Sequence, residues 1–289
     1  MQFLFHILIS GMIFALLASG FRFFIKLKGN LDFSYIAVVL FSSYVSALVN
    51  LNWGLGFLAS FGLALLFAMP FTLLVLALSE RLNAFYFSIG TMTLYMLVYQ
   101  LAYNLDGITG GAFGLSGIKR ILIGGRELTS LEAYLILMLV VSVLLFGLLW
   151  LFKKSLLYKT LLSWGERELV LQSFGTPVRK YKFIIILITT LLAALAGTCY
   201  TFYYLYIDPS SFRFGMLILA LTIVFLSYKR NELGVLLVAI LLLAVYEYLR
   251  FFKLVEASKI GYFREMIFAL LIIIVAFVSF KRLNFGREQ

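Results

Sequence analysis

The chain has 289 residues, 63% of them hydrophobic and only 13% charged, with a net charge of +11. Soluble domains carry about 25% charged residues, so a water-exposed surface of this size cannot be covered, and disorder is excluded by the same apolar excess. One Cys (Cys199) excludes a disulfide framework, and with one His (His6) it excludes a Cys/His metal site.

A helix needs about 20 apolar residues to cross a membrane. Taken in order, the uncharged stretches are Met1–Phe21, Phe33–Ser79, Leu82–Leu105, Ala133–Phe152 and Phe183–Ile207. The second is too long for one crossing and breaks at the polar turn Asn50–Gly54, beside the interfacial Trp53. Three shorter stretches follow, Phe214–Tyr228, Leu233–Tyr246 and Met266–Phe280. The expectation is an all-α polytopic bundle of about nine crossings (8–10), in one transmembrane domain over 1-289. Met1–Phe21 has no basic residue ahead of it and reads as a retained helix, not a cleaved signal.

Of the 24 Lys and Arg, 16 fall on alternate connections on one side and 8 on the other. The positive-inside rule then puts the N-terminus outside and the C-terminus inside. The basic surplus is mainly topology. Nucleic-acid binding needs a continuous basic face, which the pattern lacks.

Two connections stand out. The outer one, 105-131, carries Asp106–Ile118, with five glycines between Gly107 and Gly117. It reads either as a tight helix connection or as a shaped functional loop. It is not a phosphate loop, because it lacks the Gly-Lys-Ser/Thr ending. The inner connection, 153-182, is long enough to imply a role. Apolar Val170, Leu171 and Phe174 recur at helical spacing, and Gly175 and Pro177 end the pattern. The expectation there is a short amphipathic helix over roughly Gly165–Phe174, either lying at the lipid surface or docking a cytoplasmic partner.

Four stretches resemble the permease subunits of ABC importers for branched-chain amino acids and their urea and amide relatives. They are Leu16–Val45, "ITGGAFGLSGI" at Ile108–Ile118, "ERELVLQSFGTPVRKYKF" at Glu166–Phe183 and "ALAGTCYTFYYLYIDPSSF" at Ala194–Phe212; Glu247–Arg250 adds a Glu-x-Leu-Arg ending. Two positions depart from the family. Leu226–Gly234 keeps one glycine of a Gly-rich turn, and Val170 and Leu171 replace two alanines.

The resemblance implies half of a translocation pore in a bacterial cytoplasmic membrane, paired with a second permease subunit as homo- or heterodimer. Two cytoplasmic ABC ATPases and an extracytoplasmic substrate-binding protein would complete it. It assigns ATPase coupling to Glu168, Val170, Leu171, Phe174 and Gly175. It assigns the face toward the binding protein to Thr109, Gly110, Gly111, Gly114, Leu115 and Gly117. Arg179, Lys180 and Lys182 would anchor the inner loop to headgroups. No catalytic residue, cofactor or nucleic-acid partner is implied; ATP hydrolysis falls to the separate subunits. The alternative within related architecture is a sugar or nucleoside permease. A secondary transporter would place an ionisable residue near the midplane, and the long early stretches have none. An intramembrane enzyme would need clustered His, Asp, Glu or Cys.

Among single residues, His6 reads as a helix cap or an interfacial residue, and Cys199 as small packing beside Ala196 and Gly197. Asp32 and Asp208 flank crossings as caps or pathway residues, and Pro70 lies inside the third crossing.

Overall fold

The computed structural model describes residues 2–123, 126–166, 178–228 and 230–248, together with 266, 267, 269–271, 273 and 274. In chain order the helices are α1 (Gln2–Lys28), α2 (Ser34–Trp53), α3 (Phe57–Arg81), α4 (Ala84–Asn104), one turn α5 (Asp106–Thr109), α6 (Leu131–Lys154), α7 (Leu156–Glu166), α8 (Val178–Tyr204), α9 (Phe214–Leu226) and α10 (Glu232–Tyr248). A hairpin of two-residue strands, β1 (Leu122–Ile123) and β2 (Arg126–Glu127), pairs Leu122 with Glu127.

Six of the described segments are long and apolar enough to cross a membrane: α1, α2, α3, α6, Arg179–Tyr204 of α8, and Pro209–Leu226 ending in α9. The chain is a multi-pass membrane protein. α4 has 21 residues but carries Ser88, Thr91, Thr93, Gln100 and four tyrosines, and α10 has 17 residues. Both lie where the sequence places crossings. The last expected crossing, Met266–Phe280, falls mostly outside the described residues.

α1, α2 and α8 form the centre and are mostly buried, whereas under a third of α3 and α6 is. α8 touches α1, α2 and α3, while α6, α9 and α10 flank α1, and α3 and α4 flank α2. In lipid, apolar burial does not drive helices together, so close packing and hydrogen bonds must. The α2–α8 seam shows both. A Cβ on Gly197 would lie 2.5 Å from the Val39 carbonyl oxygen. Ser43 Oγ donates to the Gly197 carbonyl at 3.0 Å, Thr201 Oγ1 donates to the Ser43 carbonyl at 3.0 Å, and Ser46 and Thr198 hydroxyls meet at 2.9 Å. Thr72 donates to Thr190 across α3–α8. Cys199 of α8 is buried, as its small neighbours suggested.

The turn after α2 is made by Gly54 at φ 65°, its N–H on the Asn50 carbonyl. Pro70 sits inside α3 on its exposed face, with Leu66 one turn before it 61% exposed. Two boundaries differ from expectation. α1 runs on past Phe21 to Lys28, which carries Arg22 into the bundle, 2% exposed. A reading that stops a crossing at its first charge misses this. Residues 156–166 are helical, where the sequence suggested loop. Leu161 anchors that helix, fully buried against Phe23 and Phe24 of α1 and Ile185 of α8.

Candidate functional site

The glycine loop is built by its own composition. α5 ends at Gly110 (φ 72°), and a 3-10 turn over Gly111–Phe113 ends at Gly114 (φ 69°, ψ −162°), a conformation that only glycine enters without strain. The Thr109 hydroxyl, nearly buried, sits 2.7 Å from the Ala102 carbonyl oxygen and 2.8 Å from that of Leu105, and accepts the Gly111 N–H at 3.2 Å. It thereby ties the loop to the last turn of α4.

The loop then joins a distant part of the chain. Leu115 N–H donates to the Ile207 carbonyl at 2.7 Å and Ile207 N–H returns to the Leu115 carbonyl at 3.0 Å, a single antiparallel bridge. Tyr206 OH donates to the Phe113 carbonyl at 2.7 Å. A Cβ at position 114 would lie 2.0 Å from the Ile207 carbonyl oxygen, and one at 110 would lie 2.0 Å from the Gly114 carbonyl oxygen. Lys119 N–H donates to Asn50 Oδ1, whose amide donates to the Leu55 carbonyl, so the α2–α3 turn is included. Thr109, Gly110, Gly111, Gly114, Leu115 and Gly117 therefore belong to one surface with the Asp208–Pro209 turn. Phe113 stands out from it, 89% exposed. The loop is compact and shaped, as its glycines suggested. Asp208 begins the 3-10 turn Pro209–Phe212 and accepts the Ser211 hydroxyl.

At the opposite end, Glu168, Val170, Leu171, Phe174 and Gly175, with Pro177, lie outside the described residues. What surrounds their exit is described. Arg179 Nε pairs with Glu80 Oε1 at 3.0 Å, its side chain 79% exposed. Lys182 does not lie among headgroups as expected. Its ammonium reaches back and donates to the Ser79 carbonyl at 3.0 Å, and the residue is 7% exposed. The α3 C-terminus attracts it, because the last carbonyls of a helix carry unsatisfied negative dipole. Lys180 is exposed.

Asp32, in the turn between α1 and α2, is a cap. It accepts the Ser34 N–H at 3.0 Å and the Ser34 hydroxyl. Burial pushes its carboxyl up to about 6, against the pull of the Ser34 hydrogen bonds and of Lys28.

A third feature went unseen in the sequence. Arg22 of α1, Lys153 of α6 and Glu232 of α10 converge near this end. Glu232 Oε1 pairs with Lys153 Nζ and stands 3.5 Å from Arg22 Nη1, while Arg22 Nη2 donates to the Arg230 carbonyl. Lys26 and Tyr158 line the same small space. The turn Leu226–Gly234, set apart in the sequence by its single glycine, lies here, and its Glu232 answers the charge of Arg22. His6 meets the Tyr203 hydroxyl at 2.7 Å and stacks on its ring, near the outer end. Among the described residues no group of His, Cys, Asp or Glu could hold a metal ion.

Comparison with known proteins identifies relatives along nearly the whole chain. A family model described as the permease component of branched-chain amino acid transport systems matches residues 3–276. The high-affinity branched-chain amino acid transport system permease protein LivM of Escherichia coli (strain K12) is 28% identical over 274 residues, covering 86% of this chain and 64% of that protein. LivM of Salmonella typhimurium (strain LT2) is 27% identical with the same coverage. The chain thus spans just under two thirds of the length of these curated relatives. Among solved structures, PsaBC from Streptococcus pneumoniae in complex with Fab aligns with a TM-score of 0.47 and 15% identity, covering 93% of this chain and 89% of that one.

Proposed function

Because this chain belongs to the branched-chain amino acid transport permease family, matched over residues 3–276, we propose that it is a membrane subunit of an ABC importer for branched-chain amino acids or similar small polar solutes. The family match is the observation that carries this reading. The fold supports it with a multi-pass helix bundle whose central seam is threaded by serine and threonine hydroxyls.

In this reading the N-terminus faces out and the C-terminus in, following the 16-to-8 division of basic residues. The outer surface joining Thr109–Gly117 to Ile207 and Asp208 receives a substrate-binding protein. Its rigid backbone and protruding Phe113 suit a docking face that must hold one shape. The inner residues Glu168, Val170, Leu171, Phe174 and Gly175 engage one of two ABC ATPases. α7 and the first turns of α8 carry that engagement into the bundle, since Leu161 and Lys182 are both buried against central elements. A second permease subunit completes the pore in the bacterial cytoplasmic membrane. Alternating access then follows from the ATPases moving the inner loop while the outer surface stays rigid.

The test is radiolabelled leucine uptake into proteoliposomes holding this chain, its partner permease and the ATPases, with binding protein outside. Uptake that requires ATP supports the proposal, and uptake that persists without the ATPases overturns it. Competition by sugars or nucleosides but not by leucine would move the substrate class. Glu168→Lys combined with Gly175→Asp should abolish ATPase pull-down while the membrane part stays folded.

A further inference from the structure

α6 and α10 both flank α1 and leave a half-open groove of about 620 Å³ between them. Its walls include Met12 of α1, Phe146, Gly147 and Trp150 of α6, and Leu236 of α10. It also takes in Ser142, a buried residue whose hydroxyl has no hydrogen-bond partner among the described residues. From Leu139 to Lys153 it follows α6 for about 21 Å at 1.5 Å per residue. That is more than half of a hydrocarbon core of about 30 Å. So the groove starts at one membrane surface and passes the midplane.

Its inner end is charged. Lys153 and Glu232 close it, and the small space behind them is also lined by Arg22 and Lys26. Lys154 Nζ lies 3.3 Å from the centre of the Trp150 ring at the same level. Among the described residues Arg22, Lys26 and Lys153 surround the one Glu232 carboxylate, and Lys154 adds a fourth cation beside Trp150 of the groove. Arg22 Nε has no hydrogen-bond partner among the described residues, although the side chain is 3% exposed. The enclosed space beside Arg22, about 10 Å³, takes at most one water. An anion answering this surplus must therefore sit on the groove side, at Lys153 and Lys154.

An apolar slot one leaflet deep, ending in unbalanced cations beside a tryptophan, has the chemistry of an acyl chain below a phosphate. We propose that the groove holds one acyl chain of an anionic phospholipid, with its phosphate against Lys153 and Lys154. This rests on the membrane-spanning reading, but not on the transported solute or on which leaflet is involved. A bound chain would brace α6 against α10, the two helices joined at this level through the Lys153–Glu232 pair.

The test is native mass spectrometry of the full chain in mild detergent, stripped of lipid and titrated with phosphatidylglycerol and phosphatidylcholine. The wild type should retain one phosphatidylglycerol at least tenfold better than phosphatidylcholine. Lys154→Glu should bring the two within twofold. Nothing lies within 4 Å of a Cβ at position 147, so Gly147→Phe starts its side chain into open groove. That variant should lose the retained lipid of either headgroup. If it fails to fold, Lys154→Glu decides alone. Equal retention of the two lipids by wild type, or full retention by Gly147→Phe, overturns the proposal. So does crosslinking of Gly147→Cys, in a Cys199→Ser background, to another protein chain. Lipid titration needs no transport, so failure of leucine uptake and failure of lipid binding are separate results.

Discussion

The two ends of the bundle are held by different chemistry. The glycine-loop end, outer in the proposed orientation, is fixed by backbone geometry: positive-φ glycines, a two-bond bridge between Leu115 and Ile207, and hydroxyls on carbonyls. The inner end is held by charges: Arg22, Lys153 and Glu232, Lys182 on the α3 carboxyl end, and Asp32 beneath Ser34. Backbone bonds of the first kind do not respond to pH or salt near neutrality. Charges do, and each ion pair has more than one possible partner. If the proposed importer reading holds, a fixed face at one end and a rearrangeable set of contacts at the other is the division of labour it requires.

The sharpest way to break the comparison is to remove the inner carboxylate. Glu232→Gln leaves Arg22 and Lys153 facing each other with no counter-charge, and orphaning a buried charge costs about 3–5 kcal/mol. A large drop in thermal midpoint in detergent is expected. Arg22→Met combined with Glu232→Leu should recover part of it, since apolar replacement of a whole buried pair is often close to neutral.

Asp32 should make the inner end pH-sensitive. An unfolded aspartate titrates near 3.9, whereas burial raises Asp32 to about 6. Between those values the folded chain binds the proton more tightly. Stability therefore falls as pH rises from about 4 to about 6, by about 3 kcal/mol in all, and the loss is complete above 6. Asp32→Asn should flatten that profile in thermal melts from pH 4 to 7. An unchanged slope would remove Asp32 as its source.

At the outer end the equivalent disruption is steric. Gly114→Ala places a methyl against the Ile207 carbonyl at a backbone conformation alanine avoids, costing about 2 kcal/mol locally. Hydrogen exchange should show the Leu115 and Ile207 amides losing about thirtyfold in protection, at every pH where the bridge is measured. Loss of protection confined to low pH would contradict a purely geometric outer end.

These two ends also differed in how far the sequence revealed them. Six of the expected crossings among the described residues follow from apolar length, and the shape of the loop from its glycines, because both are local properties. The pairing of Leu115 with Ile207 is not local: they are 92 positions apart, and neither apolar residue carries a signal for the other. Arg22 directly follows the uncharged stretch Met1–Phe21, and a charge normally ends a crossing. Its partner Glu232 lies more than 200 residues away, so only the fold shows that the charge is answered. Lys182 was placed at the lipid surface by the same local logic. The C-terminus of α3 that draws it inward is 103 residues distant.

The smallest effect separates two cations that the sequence treats alike. Arg179 and Lys182 are one helical turn apart at the start of α8, both near the end of α3. Arg179 is 79% exposed, and exposed ion pairs of this kind contribute about 0–1 kcal/mol, because solvent screens them and ordering two long side chains offsets the attraction. Arg179→Ala should leave the thermal midpoint unchanged within error. Lys182→Met keeps the stem but leaves the Ser79 carbonyl without its charged donor, so a measurable drop is expected, larger than for Arg179→Ala and smaller than for Glu232→Gln. Raising salt should reproduce the Arg179 result and not the Lys182 result, since screening reaches the exposed pair and not the buried one. If both variants were equally silent, burial rather than charge would be what holds the inner end of α8 to α3.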